Sequence, residues 1–574
     1  MHASIQRGAR PQPSARVTSR GAALVPALVS AHRPGKVQPK RPGGRWGPRL
    51  AAAPGRWAAW RGLLAGLSLA GALPLAALAA TPGQDEPPLP GPPRPLVVPQ
   101  FEQHTLPNGV RVVLAHRPGL PLVTVALHLG LGSAADPAGQ AGLASLTASL
   151  RTKGATRQGR ALNASQIAQQ AEALGGTLDA GAGWQGSTVS MTVLAPRLAQ
   201  ALALVVDTTL RPTLAADELT RLREQTADGL KFSMSDPAAL AGLVARRAQW
   251  GDSVYGGSLT PASLARIQRN DVLAFHRRQA RPELATLVLS GDVSSTCPQG
   301  RAALSSPPEE IKATSGGPAL PCEPALALAQ QALGSWPTLP MALPEPRREP
   351  PSPATPATVL VQLPGAGQSA VVVMAPSVAA DSPERRVAQV AGAVLGGGYS
   401  SRINTEVRIK RGLSYGASAG NELQPVGGVL TAATQTQHAT AAEVVKLLQG
   451  EITRLAEDPP TADELAARQA TLVGSFGRQL ETTAGLAQVA IDQIARGRPL
   501  EELQRLAPEV LAVTPTQVQA FAARHWTAGR LRTVVVGDLA AAGAGLRSLD
   551  PEALVLDAVQ LDLNAATLQP GRRR

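Results

Sequence analysis

The sequence predicts an α+β protein of two homologous domains, each a mostly antiparallel sheet with helices packed on one face. Three observations support this fold class. Short alternating strands are interspersed with helices of amphipathic periodicity. The chain repeats itself at a spacing of 246 residues. It contains neither the glycine fingerprint of a dinucleotide-binding fold nor a phosphate-binding loop.

The strand and helix signals follow the same order in both halves. An Asn108-Gly109 turn precedes an alternating strand from Val110 to Leu114. Asn163 is placed to cap a helix from Ala164 to Leu174. The other elements predicted in the first half are strands at 123–131, 188–194 and 284–290, and helices at 141–150, 197–209 and 216–232. The second half has strands near 358–363, 369–374 and 531–536 and a helix at 383–395.

Two sequence motifs recur in one register and indicate an internal duplication. Val272-x-x-Phe275 with Gly291-Asp292 returns as Val518-x-x-Phe521 with Gly537-Asp538, and Ala216-Asp-Glu-Leu219 returns as Ala462-Asp-Glu-Leu465. We therefore expect homologous domains at 101–336 and 357–547. Proline-rich segments at 80–100 and 337–356 are typical of extended linkers, and residues 548–574 are interpreted as a tail.

The positive charge is concentrated at the amino terminus. The formal net charge is +14, but residues 1–79 contain twelve Lys and Arg and no Asp or Glu, so only about +2 remains for the rest. This distribution argues against nucleic-acid binding, because the folded region has no basic stripe. Residues 1–55 are rich in Pro, Arg and Gly without periodicity and are expected to be disordered.

Residues 56–79 have the pattern of a secretory signal peptide. Arg56 and Arg61 precede a short apolar stretch, and Ala77-Leu78-Ala79 provides a small-x-small cleavage site. The alternative is an uncleaved anchor, although the apolar stretch is short for a membrane span. The expected location is the periplasm, with no stable membrane span left after cleavage.

The only two cysteines, Cys297 and Cys322, lie in the part that would be exported. Their neighbours are Ser, Pro and Gly, which favour loops. In an oxidising compartment we expect the two thiols to form a disulfide. A zinc site is a poor alternative, because two thiols need two further ligands and no His lies nearby.

Two stretches resemble signatures of the pitrilysin/insulinase-type metallopeptidases, the inverzincins. The first is Leu106-Pro-Asn-Gly-Val110 with Gly142-Leu-Ala144 downstream; the second is Leu395-Gly-Gly-Gly-Tyr-Ser-Ser-Arg402, running on to Arg408 and Tyr415. The similarity covers about residues 101–547. It implies that the two domains form half of a clamshell, as in the non-catalytic alpha subunit of the mitochondrial processing peptidase.

The zinc motif of this family is missing from the chain. Family members carry H-x-x-E-H on a helix of the first domain, where two His bind zinc and the Glu acts as general base. The matching positions here are Ser145, Ala148 and Ser149, and Asp228-Gly229 stands where a later Glu ligand is expected. A neutral serine is a poor zinc ligand and alanine cannot abstract a proton. We therefore expect no zinc in this chain and no peptide hydrolysis by the chain alone.

The second-domain signature, in contrast, is intact. Ser400 or Ser401 can cap a short helix that runs to about Lys410, Gly412 supplies the turn, and Tyr415 starts a strand.

The resemblance implies that Arg408 and Tyr415, seven residues apart, hydrogen-bond substrate carbonyls and help stabilise the oxyanion in the opposite half of a protease. The alternative is a surface Arg on a helix and a half-buried Tyr. The run Gly396, Gly397 and Gly398 is similar to the glycine-rich stretch bordering the substrate chamber of the processing peptidase. Glycine permits positive φ and close backbone approach to a peptide.

Two functional interpretations follow. The first is a non-catalytic subunit that pairs with a zinc-bearing homologous subunit and binds an extended peptide substrate between them. The alternative is a structural or peptide-binding scaffold without a proteolytic partner, since fold alone does not determine function. The retained Arg408 and Tyr415 favour the first interpretation, because a scaffold has no need of them.

Overall fold

The structure is a computed structural model that describes residues 96–293, 324–339 and 350–570. Several sequence-based predictions lie outside these ranges. They are the disordered extension, the signal peptide, the Cys297–Cys322 disulfide, most of the first proline-rich linker and half of the second. Among the described residues, no helix is long and apolar enough to cross a bilayer.

The first half intersperses strands with helices along the chain. The strands are β1 (Phe101–Thr105), β2 (Arg111–His116), β3 (Leu122–Leu129), β4 (Gly154–Arg157), β5 (Arg160–Asn163), β6 (Leu178–Ala182), β7 (Ser187–Leu194) and β8 (Ala285–Gly291). The helices are α1 (Leu143–Arg151), α2 (Ala164–Ala173), α3 (Leu198–Leu210), α4 (Ala216–Ser235), α5 (Pro237–Trp250), α6 (Pro261–Arg266), α7 (Arg269–Gln279) and α8 (Ala325–Leu333).

The second half follows the same plan. Its strands are β9 (Thr358–Gln362), β10 (Ser369–Ser377), β11 (Ala417–Gln424), β12 (Gly427–Thr436), β13 (Arg532–Gly537) and β14 (Leu554–Asp557). Its helices are α9 (Arg385–Gly396), α10 (Arg402–Asn404), α11 (Ala441–Arg454), α12 (Ala462–Leu480), α13 (Thr483–Ala495), α14 (Glu502–Leu511), α15 (Pro515–His525) and α16 (Leu539–Ala542).

Two six-stranded sheets confirm the predicted α+β class. Their orders are β1-β2-β8-β3-β7-β6 and β11-β12-β10-β13-β9-β14. When the second sheet is read in reverse, five of its strands follow the order of five strands in the first sheet: β9-β13-β10-β12-β11 corresponds to β2-β8-β3-β7-β6. Within each set of five strands, one neighbouring pair is parallel and the others are antiparallel. The parallel pair is β2–β8 in the first half and β9–β13 in the second. The sixth strands differ, because β1 joins β2 antiparallel whereas β14 joins β9 parallel. Residues 548–570, interpreted above as a tail, thus contribute a strand to the second sheet.

The repeated residues have matching environments in the two halves. Phe275 in α7 and Phe521 in α15 are both fully buried, as are Val272 and Val518. Gly291 and Gly537 each end a strand of the corresponding position, 246 residues apart. The sequence repeat is therefore also a repeat of packing.

Each half places its own helices on one face of its sheet, and receives a helix from the other half on the opposite face. Helix α5 packs against β10 and β13 of the second sheet, and α13 packs against β3 and β8 of the first. The two helices start at Pro237 and Thr483, again 246 positions apart. Thr483 is tied to the first sheet by a 2.8 Å hydrogen bond from Thr124. The sequence did not predict this exchange of helices.

Candidate functional site

Helix α1, which carries the positions of the missing zinc motif, has a well-built amino terminus. It starts after Gly142, whose φ of +102° would strain any other residue. The carboxylate of Asp136 accepts the N–H groups of Gly142 and Ala144, each at 2.8 Å. Burial raises the pKa of Asp136 to about 7, although these N–H donors lower it. The scaffold of the first-domain signature is therefore preserved.

The donor set on α1 does not fit zinc. Ala148 is fully buried, and Ser145 and Ser149 are half-buried one helical turn apart. Asp228 lies on α4 and pairs with Lys231 at 3.0 Å, with both side chains exposed. Within the described ranges, no three His, Cys, Asp or Glu residues lie close enough together to hold a metal ion. Two hydroxyls and a methyl group provide neither the charge nor the nitrogen or sulfur donors of a zinc site.

The second-domain signature folds as a short helix with an unusual hydrogen-bond pattern. Helix α10 continues into a π-helical turn at Thr405–Ile409, which carries Arg408. Gly412, with φ of +63°, then reverses the chain. The helix predicted to extend to about Lys410 is thus α-helical only at its start. Tyr415, predicted to begin a strand, precedes β11.

The predicted cap of this helix also differs from the structure. Ser401 occupies the N-cap position, but its side chain makes no capping bond. The hydroxyl of Ser400 instead accepts a hydrogen bond from Arg468 of α12. Ser400 therefore fixes the segment to α12, and Ser401 does not cap its own helix.

Arg408 and Tyr415 lie next to each other in the structure. The guanidinium carbon of Arg408 lies 5.1 Å from the ring centroid of Tyr415, a cation–π distance. Tyr399 approaches the same carbon, at 4.9 Å. The side chain of Tyr415 is 85% exposed, so the alternative of a half-buried tyrosine is wrong. Tyr399, which follows the glycine run, was overlooked; two of the chain's three tyrosines are in this signature.

The cations next to Arg408 already have partners. Glu406 accepts hydrogen bonds from Lys410, at 2.5 Å, and from Arg411. Burial acts to raise the pKa of Glu406, but these two hydrogen bonds outweigh it, and the net shift is downward. Arg402 makes a two-pronged ion pair with Glu464 at 2.8 and 2.9 Å. For Arg408, the described part of the chain offers neither an ion pair nor a hydrogen-bond acceptor.

The glycine run is packed against its own chain. A Cβ atom on Gly396 would lie 1.8 Å from the backbone nitrogen of Ala419 in β11, and one on Gly398 would lie 2.6 Å from Arg468 Nη1. None of the three glycines has a positive φ. Gly396 therefore permits a close approach between α9 and β11, and Gly398 leaves room for Arg468 of α12.

The predicted site residues fall into two separate places. Helix α1 belongs to a cluster with α4, α6 and α7, whereas the segment around Arg408 packs into the core of the second half. Across the described ranges, no hydrogen bond, ion pair or ring contact joins Ser145, Ala148 or Ser149 to Arg408 or Tyr415. Cys297 and Cys322 lie outside the described residues.

The chain matches two models of one peptidase family. Residues 111–244 match "Insulinase (Peptidase family M16)" and residues 321–472 match "Peptidase M16 inactive domain". An uncharacterized zinc protease of Mycobacterium leprae is 25% identical over 435 residues, covering 73% of this chain and 87% of that protein. A non-peptidase homolog of Helicobacter pylori is 24% identical over 145 residues, covering 25% of this chain and 34% of that protein.

Solved structures show the same fold. A peptidase M16 inactive domain from Pseudomonas fluorescens has a TM-score of 0.63 at 23% identity, covering 76% of this chain and 98% of that one. A protease from Helicobacter pylori has a TM-score of 0.65 at 18% identity, covering 76% and 100%. The two family matches fall one in each half of the duplicated fold. The chain belongs to the pitrilysin/insulinase-type (M16) peptidase family, and the residues at its zinc-motif positions make it an inactive-type member.

Proposed function

We propose that the chain is the non-catalytic subunit of a periplasmic, two-chain zinc metalloendopeptidase. Its partner is a homologous subunit that holds the zinc, and the substrate is an extended peptide enclosed between them. The observation that carries the proposal is the contrast between the two sites. Ser145, Ala148 and Ser149 cannot hold zinc, whereas the half-buried Arg408 lies against Tyr415, which faces solvent.

The exposure of the Arg408 site is the first support. Tyr399 and Tyr415 are 65% and 85% exposed, and Ile409 between them in sequence is also exposed. Exposed apolar side chains that cluster on a surface mark binding sites, because their burial by a partner is favourable. Such a cluster fits a surface that meets both a peptide and a second subunit.

The second support is the chemistry of the exposed donors. Arg408 has five N–H donors, and Tyr415 has a hydroxyl that can also donate. These groups match the carbonyl oxygens of an extended peptide. Where a carbonyl oxygen gains negative charge during acyl transfer, a preorganised donor stabilises the transition state more than the ground state. The water and the general base are contributed by the partner's site.

Reconstitution tests the proposal. The mature chain, from residue 80 onward, is mixed with a zinc-bearing homologue from the same cell, and cleavage of an extended peptide is measured. Activity should exceed that of either chain alone. Tyr415→Phe should lower turnover about 10²–10³-fold, the typical effect of losing one oxyanion donor. Arg408→Ala should lower it too, with weaker apparent affinity, because Arg also binds the ground-state peptide.

Tyr255→Phe provides a matched control. It also removes one tyrosine hydroxyl, which accepts a hydrogen bond from Gln185, and Tyr255 belongs to the buried cluster around α5 rather than to the core that holds the Arg408 segment. Its turnover should equal that of the unmodified complex. If the complex assembles and Tyr415→Phe turns over at the unmodified rate, Tyr415 has a structural role. If mixing the chains gives no gain in activity, the scaffold interpretation replaces the proposal.

A further inference from the structure

Two tyrosine rings hold the guanidinium of Arg408 from different directions. The ring centroids of Tyr399 and Tyr415 lie 4.9 and 5.1 Å from its central carbon. No ring contact between the two tyrosines themselves is found, so they do not stack on one another. A guanidinium that rests on aromatic faces keeps its N–H donors at its edge, because the rings interact with its flat faces.

The donors at that edge have no acceptor within the described ranges. All the neighbouring cations of the signature do have one: Arg402 pairs with Glu464, and both Lys410 and Arg411 pair with Glu406. Among the described residues, the charge of Arg408 therefore meets two aromatic rings but no anion. A planar fork of N–H donors is matched best by two oxygens in one plane, as in a carboxylate, which it binds through two parallel hydrogen bonds.

One buried amide, that of Asn404, ties the two tyrosine-bearing segments together. Its Nδ2 donates to the backbone carbonyl of Tyr399, and its Oδ1 accepts the N–H of Ala417 at 3.1 Å, two residues after Tyr415. Thr434 also holds this second segment, donating to the carbonyl of Gly416 at 2.8 Å. Asn404 thus fixes the distance between the backbones that carry the two rings.

We infer that Tyr399, Arg408 and Tyr415 form a recognition site for a carboxylate of the peptide, with Asn404 as its positioning residue. The carboxylate is either an acidic side chain or the carboxyl terminus of the peptide. This inference rests on the proposed function in that the ligand is an extended peptide. It adds a substrate class, peptides with a carboxylate at this position, and assigns roles to Tyr399 and Asn404.

Peptide binding to the isolated mature chain tests the site without requiring catalysis. Three fluorescein-labelled peptides of one sequence are compared by fluorescence anisotropy: one with an internal Glu and an amidated end, one with Gln and an amidated end, and one with Gln and a free carboxyl end. The first or the third should bind about 10-fold more tightly than the second, because a carboxylate forms charge-assisted hydrogen bonds with Arg408 that an amide cannot form. Which of them does so identifies the source of the carboxylate.

Substitutions then test the residue roles. Tyr399→Phe keeps the ring and should keep the preference for the carboxylate. Tyr399→Ala should reduce that preference about 2- to 5-fold, the range for an exposed cation–π contact. Phe232→Ala is the matched control, because Phe232 is 78% exposed on α4 and has no cation against its ring among the described residues. It should leave the preference unchanged.

Asn404→Ala separates positioning from general loss of structure. A positioning role predicts a lower ratio of Glu-peptide to Gln-peptide affinity, with little change for the Gln peptide. A merely structural role would weaken both equally. Where this buried substitution prevents folding, the surface substitution Tyr399→Ala still decides the inference.

The inference is overturned if the three peptides bind equally to the unmodified chain, or if Tyr399→Ala and Phe232→Ala have the same effect. Either result can be obtained while the reconstituted protease still depends on Tyr415. Neither result therefore refutes the proposed function. Conversely, a carboxylate preference without any gain in protease activity supports this site and refutes the protease assignment.

Discussion

Gly396→Ala would test whether the glycine run serves packing or peptide contact. The added Cβ would lie 1.8 Å from the nitrogen and 2.5 Å from the Cα of Ala419, far closer than atoms in contact allow. The strand β11 cannot yield locally. Ala419 pairs with Ala432 of β12, and Asn421 of the same strand donates to the carbonyl of Ala388 in α9 at 2.6 Å. Helix α9 would have to move away from the sheet as a whole.

The cost follows from what α9 covers. Val394 and Leu395 are fully buried in the core of the second half and would shift with the helix. Overpacking of this kind typically costs about 1–3 kcal/mol. Alanine's better helix propensity offsets at most about 1 kcal/mol, and less at the last residue of a helix. We expect the free energy of unfolding to fall by about 2 kcal/mol.

Urea unfolding of matched glycine variants measures this loss. Gly450 lies inside α11, is exposed, and has open space where a Cβ would be. Gly450→Ala should raise stability by roughly 0.5–1 kcal/mol. Gly398→Ala should fall between the two, because its Cβ would meet only the end of the Arg468 side chain. If Gly396→Ala is as stable as Gly450→Ala but has lost peptide binding, the packing argument is refuted.

Three further predictions concern metal, cysteines and pH. The purified mature chain should bind no stoichiometric zinc and cleave no peptide, because Ser145, Ala148 and Ser149 replace the zinc motif. Metal analysis that finds one tightly bound zinc per chain, lost on substitution within 101–336, would contradict this. Cys297 and Cys322 should form a disulfide in protein recovered from the periplasm, which closes a loop of about 25 residues and should stabilise the fold by roughly 3 kcal/mol. Thiol labelling without reductant rules the disulfide out if both cysteines react. Burial lowers the pKa of His128 from 6.5 to about 4, so between these two values the unfolded chain binds a proton that the native chain resists. The contribution of His128 to stability should therefore fall by roughly 3 kcal/mol as pH drops through this window. His128→Asn retains a partner for Thr188 but cannot titrate, and should remove that part of the pH dependence in denaturant unfolding; an unchanged profile would show that His128 is not responsible.

Local signals in the sequence were sufficient for much of the fold. Asn163 caps α2 as predicted, through a capping box with Gln166, because capping depends on residues three apart. The Asn108-Gly109 turn is also a local signal. Gly291 and Gly537 were identified from the sequence repeat. The exchange of α5 and α13 could not be predicted, since periodicity shows that a helix has an apolar face but not which sheet that face covers.

The candidate site was predicted in part. The spacing of Arg408 and Tyr415 located the pair, but the π-helical turn that carries Arg408 depends on tertiary contacts. Tyr399 stands beside the glycine run in the sequence, and only folding brings its ring to Arg408. The role expected of the glycines was drawn from their freedom of φ, whereas the structure uses the absence of their Cβ atoms.

The exchanged helices also bear on the ancestry of the chain. A chain with only one repeat would leave one face of its sheet without a helix and would carry a helix without a sheet. Two copies of such a chain would satisfy both needs by trading that helix, as in a domain-swapped homodimer with two-fold symmetry. In the present protein both repeats belong to one chain, and contacts such as the hydrogen bond from Thr124 to Thr483 lie where such a dimer would have its interface.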